Sequence, residues 1–137
     1  MTFELTPANP SRPPADLYAR IGGDQFFHDL VHQFYLGVAG DPALRALYPE
    51  AELSGAEERL RLFLMQYWGG PGTYSEQRGH PRLRMRHAPY AVTLEMRDRW
   101  LRHMRDALDV LQPEPDLEAW LWNYFEMAAH SMINTDS

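Results

Sequence analysis

The hydrophobic pattern predicts an all-α protein. Apolar residues recur at three- and four-residue steps over several stretches of helical length. No stretch sustains the strict alternation of a half-buried strand. Glycine and proline punctuate the intervals, at Gly22-Gly23, Gly40-Asp41-Pro42, Gly69-Gly70-Pro71 and Pro113 with Pro115. The 137 residues are the size of one domain, and at 45% hydrophobic they can fill a core.

Composition removes several functions. There is no cysteine, so disulfides, thiolate zinc sites, iron–sulfur clusters and cysteine nucleophiles are excluded. Net charge is -6 and the pI about 5.4, against the basic excess of a broad nucleic-acid surface. No apolar run approaches the roughly 20 residues of a membrane span. Met1-Thr2-Phe3-Glu4 lacks a basic signal-peptide start, so a cytoplasmic protein is expected.

Residues 1–16, with Pro7, Pro10, Pro13 and Pro14, predict a flexible extension, and residues 17–137 the folded domain. A short helix is expected over 17–21, capped by Asp16 and closed by Gly22-Gly23. Residues 25–38 carry the first strong helical stripe: Phe26, Phe27, Leu30, Val31, Phe34, Tyr35 and Val38. His28 and His32 stand four apart on it, as in zinc hydrolases. Asp29 replaces the usual glutamate, and both histidines sit at the polar edge, so surface positions are expected.

Pro42 can begin a turn of helix that runs to Leu47 and stops at Tyr48-Pro49. Ser54-Gly55-Ala56-Glu57 has capping-box form and predicts a helix to Trp68. Ala56, Leu60, Phe63, Leu64 and Tyr67 are its expected inward stripe. Small Ala56 leaves room for something flat across the first turn. Residues 71–80 are expected to be a long loop. Thr93 caps a helix over 94–111 that presents Met96, Trp100, Met104, Ala107, Leu108 and Leu111. A last helix is expected over 116–132, with Leu117, Leu121, Tyr124, Phe125, Ala128 and Met132 inward.

The unusual chemistry lies in GHPRLRMRHAPYAVT, residues 79–93. Arg82, Arg84 and Arg86 precede His87, and Pro89 ends the short helical turn. Taken alone this is more readily a basic surface loop. Haem would use it fully, since its iron accepts an imidazole nitrogen and its two propionates accept guanidinium.

With the helices placed, the chain from Leu17 to Asn134 resembles the group II truncated haemoglobins, in particular the actinobacterial oxygen-binding ones. The matching motifs are Gly22-Gly23, Phe34-Tyr35, Leu47-Tyr48-Pro49, the run AEERLRLFLMQYWGGPGTYSEQRGHPRLRMRHAPYAV, Trp100 within RDRWLRHM, and EMAAHS. The resemblance implies a two-over-two helical sandwich enclosing haem b. It implies His87 as the axial iron ligand and Tyr35, Tyr48 and Trp100 as polar residues around the iron-bound ligand. Ala56, Arg59, Leu60, Phe63 and Arg86 become the candidate haem contacts, the arginines facing the propionates.

Such a site would bind dioxygen, carbon monoxide or nitric oxide. A backbone carbonyl is the expected partner for the second imidazole nitrogen. Tyrosine hydroxyls and indole N–H are donors, and donors around a charged ligand predict tight binding and slow release. The competing readings are a haem enzyme (a nitric oxide dioxygenase or a peroxidase), a haem-free helical regulator, and a zinc hydrolase on His28 and His32. An enzyme would need a reductase, since no flavin or nicotinamide domain is present. A homodimer is a further candidate assembly.

Overall fold

The computed structural model describes residues 12–136. Eight helices follow in order among the described residues: α1 Leu17–Ile21, α2 Gly23–Ala39, α3 Pro42–Arg45, α4 Ser54–Tyr67, α5 Thr73–Arg78, α6 Leu83–His87, α7 Leu94–Leu111 and α8 Pro115–Ser131. No strand occurs among the described residues, and the all-α expectation holds. Most of the expected N-terminal extension lies outside them.

The long helices form two layers. α2 packs along both α4 and α7, and α7 along α8. Phe27, Leu30, Val31, Phe34 and Val38 of α2 bury into this core with Met104 and Leu108 of α7 and Leu117, Leu121 and Phe125 of α8. Each fully buried side chain of this size contributes roughly 1.5–3 kcal/mol. The layering is the two-over-two sandwich, with α2 and α4 against α7 and α8.

Local chemistry sets the joints. Gly22 has φ 124° and Gly23 φ 61°, which glycine alone adopts freely. The pair therefore turns α1 into α2 without a gap. Thr93 accepts from the Met96 N–H at 3.1 Å, the cap expected for α7. Asp41 caps α3, accepting from the Leu44 N–H at 3.3 Å, with Pro42 in the first turn.

Four expectations need correction. Asp16 stands at the start of α1, yet its side chain makes no cap bond. The Ser54 capping box does not form: Ser54 is already helical, and Leu53 occupies the cap position without a side-chain bond. Glu57 instead lies 3.4 Å from His32 Nδ1 on α2. The interval 71–80 is not all loop, since α5 occupies Thr73–Arg78 and buries Tyr74. Gln66 of α4 fixes it there, donating to Ser75 Oγ at 2.8 Å and accepting from the Ser75 N–H at 2.9 Å. Finally, Tyr67 is half-exposed, while Leu62 and Met65 are buried. α4 thus turns its interior face further toward α2 than its stripe suggests.

Candidate functional site

α6 is the shortest route to the site. Its cap residue Arg82 sits in the left-handed region at φ 44°, a bend that restarts the helix after His80-Pro81. Arg86 holds this bend: its guanidinium donates to the carbonyls of Pro81 at 2.6 Å, Arg78 at 2.8 Å and His80 at 3.2 Å. His87 is the last residue of α6, and its Nδ1 lies 2.7 Å from the Leu83 carbonyl. A carbonyl only accepts, so Nδ1 is the donor in this contact, and in the neutral ring with that tautomer the lone pair is on Nε2.

The chain beyond His87 is pinned from the C-terminal end. Val92 N–H donates to Asn134 Oδ1 at 3.0 Å, and Asn134 N–H returns a bond to the Val92 carbonyl at 3.0 Å. Asn134 Nδ2 also donates to the carbonyls of Tyr90 at 2.9 Å and His87 at 3.3 Å. No sequence motif marks Asn134 for this task.

His87 lines a cavity of about 440 Å³, shared with Tyr35 of α2, Tyr48, Trp100 of α7, and Ala56, Arg59, Leu60 and Phe63 of α4. Arg86 reaches its edge. All nine residues singled out from sequence therefore meet in one place, contributed by α2, α4, α6, α7 and the segment after α3. Leu83, Val92 and Met96 complete apolar walls.

The polar residues form a compact group. The Tyr35 and Tyr48 rings meet edge to face, centroids 5.6 Å apart. Phe34 lies between Tyr35 and Trp100, 4.9 Å from each. Burial pushes the Tyr35 hydroxyl well above the ordinary 10.0, and the neighbouring Tyr48 adds to the rise. Burial raises Tyr48 too, with Tyr35 and Trp100 as neighbouring donors pulling the other way. Both phenols stay protonated at neutral pH and can donate. Arg59 pairs with Glu50 at the rim, which holds the Glu50 carboxyl below its usual range.

The other histidines do different work. His28 and His32 are exposed and pair with Asp29 and Glu57. Among the described residues no group of three or more His, Cys, Asp or Glu could hold a metal ion, which leaves the zinc reading without support. His103 was not marked by sequence, yet its Nε2 lies 2.8 Å from Asp41 Oδ2, with Arg99 2.9 Å from the other oxygen. That cluster ties α3 to α7 away from the cavity wall.

The bacterial-like globin family model matches residues 16–134. The chain belongs to that family. Its branch is the group II truncated haemoglobins: the chain is 38% identical over 112 residues to the group 2 truncated haemoglobin YjbI of Bacillus subtilis, covering 82% of this chain and 84% of that protein. Among solved structures, the thermostable haemoglobin of the actinobacterium Thermobifida fusca is 59% identical with a TM-score of 0.86, covering 88% of this chain and 98% of that one. The truncated oxygen-avid haemoglobin of Bacillus subtilis is 38% identical with a TM-score of 0.82, covering 86% and 98%. Globin membership carries haem and oxygen binding with it. The globin's cavity suits that group: it is walled largely by apolar side chains, small Ala56 is among them, and a histidine on the wall has Nδ1 engaged with a backbone carbonyl, which leaves Nε2 for a metal. No described helix is long and apolar enough to cross a membrane.

Proposed function

We propose that this globin binds haem b through Nε2 of His87 and holds dioxygen tightly, with slow release. Carbon monoxide and nitric oxide are the other ligands of this site. The observation that carries the proposal is the 2.7 Å contact between His87 Nδ1 and the Leu83 carbonyl. It orients the ring and leaves Nε2 for the iron, the usual arrangement for a ligating histidine.

Haem supplies an iron with one coordination position open to a diatomic ligand. The rest is done by the chain. Tyr35, Tyr48 and Trp100 place two hydroxyls and an indole N–H on the cavity wall, and donors there gain strength where burial lowers the local dielectric, as at Tyr35. Each hydrogen bond to a charged acceptor contributes about 1.5–3 kcal/mol. With Ala56 in place of a bulkier side chain, Trp100 is the main steric control on entry. The relative from Bacillus subtilis described as oxygen-avid supports the same direction. Arg59 is the rim cation suited to a propionate. Arg86, whose donors are engaged with three carbonyls, acts through the placement of His87.

A second reading, a haem peroxidase or nitric oxide dioxygenase using the same donors and fed by a reductase, is favoured by one feature. Tyr124 on the cavity wall stacks against half-exposed Tyr67, giving electrons a route from the surface.

Absorption spectra of the ferric, dithionite-reduced and carbon monoxide-bound protein, beside His87→Gly, test the assignment. Histidine-ligated spectra lost in the variant support it. Absence of stoichiometric haem, or an unchanged variant, refutes it. Stopped-flow dioxygen release and reaction with nitric oxide then separate binder from enzyme.

A further inference from the structure

The C-terminal end of α4 and the middle of α8 meet through rings. Tyr67 and Tyr124 have centroids 4.2 Å apart, tilted by 34°. Trp68 stands edge-on to both, at 5.1 and 5.7 Å. Tyr124 is on the cavity wall, and so is Phe125, 5.8 Å from it and 5.8 Å from Trp100. At the opposite end Tyr67 is 50% exposed. An unbroken aromatic path therefore joins the cavity to the surface.

The three oxidisable rings of this path differ in what can become of a proton. A phenol or indole that loses an electron becomes strongly acidic and settles as a radical only where its proton can leave. Burial pushes the Tyr124 hydroxyl far above its usual range, the sign of a site that resists losing a proton. Trp68 Nε1 is buried with no hydrogen-bond partner among the described residues. Tyr67 is the most open of the three, half exposed where Tyr124 is partly buried and Trp68 buried, and water accepts its proton. An oxidising equivalent that leaves the cavity along this path comes to rest at Tyr67.

We propose that Tyr67 is a surface site for a phenolic reductant too large to enter the cavity, its electrons passing through Tyr124 to the haem when hydrogen peroxide is the oxidant. The proposal rests on the haem reading above. In balance, two phenols and one hydrogen peroxide give two phenoxyl radicals and two waters. Each phenol O–H bond breaks, with its electron entering at Tyr67 and its proton passing to solvent. The peroxide O–O bond breaks, and its oxygens take up two electrons and two protons. Tyr67 is returned to the phenol after each transfer.

The test uses the haem-loaded full chain with hydrogen peroxide, comparing wild type with Tyr67→Phe, Tyr124→Phe and Tyr90→Phe. Tyr90 is the control because it also lines the cavity and is partly exposed. Two measurements are made: rapid-freeze electron paramagnetic resonance without added reductant, and oxidation of a phenol coupled to dextran beside free guaiacol. The expected result is a tyrosyl signal and dextran-phenol oxidation in wild type and Tyr90→Phe. Both should be lost in Tyr67→Phe, which keeps its carbon monoxide spectrum and guaiacol oxidation. Tyr124→Phe should also lose dextran-phenol oxidation. A signal and dextran oxidation that survive in Tyr67→Phe, or vanish in Tyr90→Phe instead, overturn the proposal while the haem reading stands. A wild type without a haem spectrum overturns both, and is recognised before peroxide is added.

Discussion

Asn134 and Val92 exchange two hydrogen bonds across 42 residues of chain, the Val92 N–H to Oδ1 and the Asn134 N–H to the Val92 carbonyl, each 3.0 Å long. The pair closes the segment that follows His87 against the end of α8. Because Asn134 also reaches the His87 carbonyl, one side chain fixes where α6 stops.

Asn134→Ala removes those side-chain bonds while leaving every cavity residue in place. We expect haem spectra like wild type and faster haem loss. The Tyr90 and His87 carbonyls can turn to water, but the part-buried Val92 N–H loses its partner, which costs about 1 kcal/mol or more, roughly fivefold or more in the rate of transfer to apomyoglobin. An unchanged transfer rate would show that Asn134 does not position the ligand.

The donors around the iron-bound ligand give a sharper expectation. Tyr35→Phe, Tyr48→Phe and Trp100→Leu each remove one donor from the cavity. A lost bond of about 1.5–3 kcal/mol raises the dioxygen off-rate by roughly ten- to a hundredfold. Stopped-flow release measures it directly. Since Tyr35, Tyr48 and Trp100 form one contact group, the double variants should fall short of additivity. Off-rates unchanged from wild type in all three variants would remove the donor argument.

Much of this was legible in the sequence. The long helices carried apolar stripes, Thr93 and Pro89 bounded their segments, and His87 stood out by charge and position. The unread parts share a physical cause. α5 is a six-residue polar helix with one buried side chain, Tyr74, too short for a period to show. Asn134, His103 and Arg86 act by reaching carbonyls or carboxylates remote from any local pattern. Tyr67 followed the α4 stripe on paper, but its helix is rotated toward α2, as buried Leu62 and Met65 show. A stripe gives a face to within a residue or so, and at Tyr67 that margin separates wall from surface.

The Asp41 cluster predicts a pH dependence of stability. Its carboxylate is held below its ordinary 3.8, chiefly by the His103 hydrogen bond, with the Leu44 N–H and Arg99 assisting against burial. A lowered carboxylate value means the folded state favours the charged form. The stabilisation is complete above 3.8 and is lost as pH falls through the folded value. Asp41→Asn keeps a capping side chain but loses the charge. It should lower Tm at about pH 7, and by less at about pH 2, where protonation of Asp41 has begun to remove the charged pair from wild type as well. Asp41→Ala adds the loss of the cap, about 1 kcal/mol. Thermal unfolding at both pH values decides the matter, and an equal Tm deficit at each would exclude the charged pair as its cause.

The same cluster makes Gly37 a close-approach position. A Cβ built there would lie 2.5 Å from His103 Nδ1 and 3.0 Å from its Cγ. The imidazole cannot simply swing aside, because its Nε2 is held by Asp41 on the far edge. Gly37→Ala gains helix propensity, about 1 kcal/mol in an open helix, but must push α2 from α7 or break the His103–Asp41 bond. Overpacking of this kind costs roughly 1–3 kcal/mol. We expect net destabilisation in Gly37→Ala and partial recovery in Gly37→Ala combined with His103→Ala, where the two ring contacts have gone and only the 3.3 Å approach to the Cβ of residue 103 remains. A double-mutant cycle in urea reads the coupling between the two positions. If the combined variant is no more stable than the sum of the single losses predicts, the steric account of Gly37 fails, and glycine is there for some reason other than the histidine that faces it.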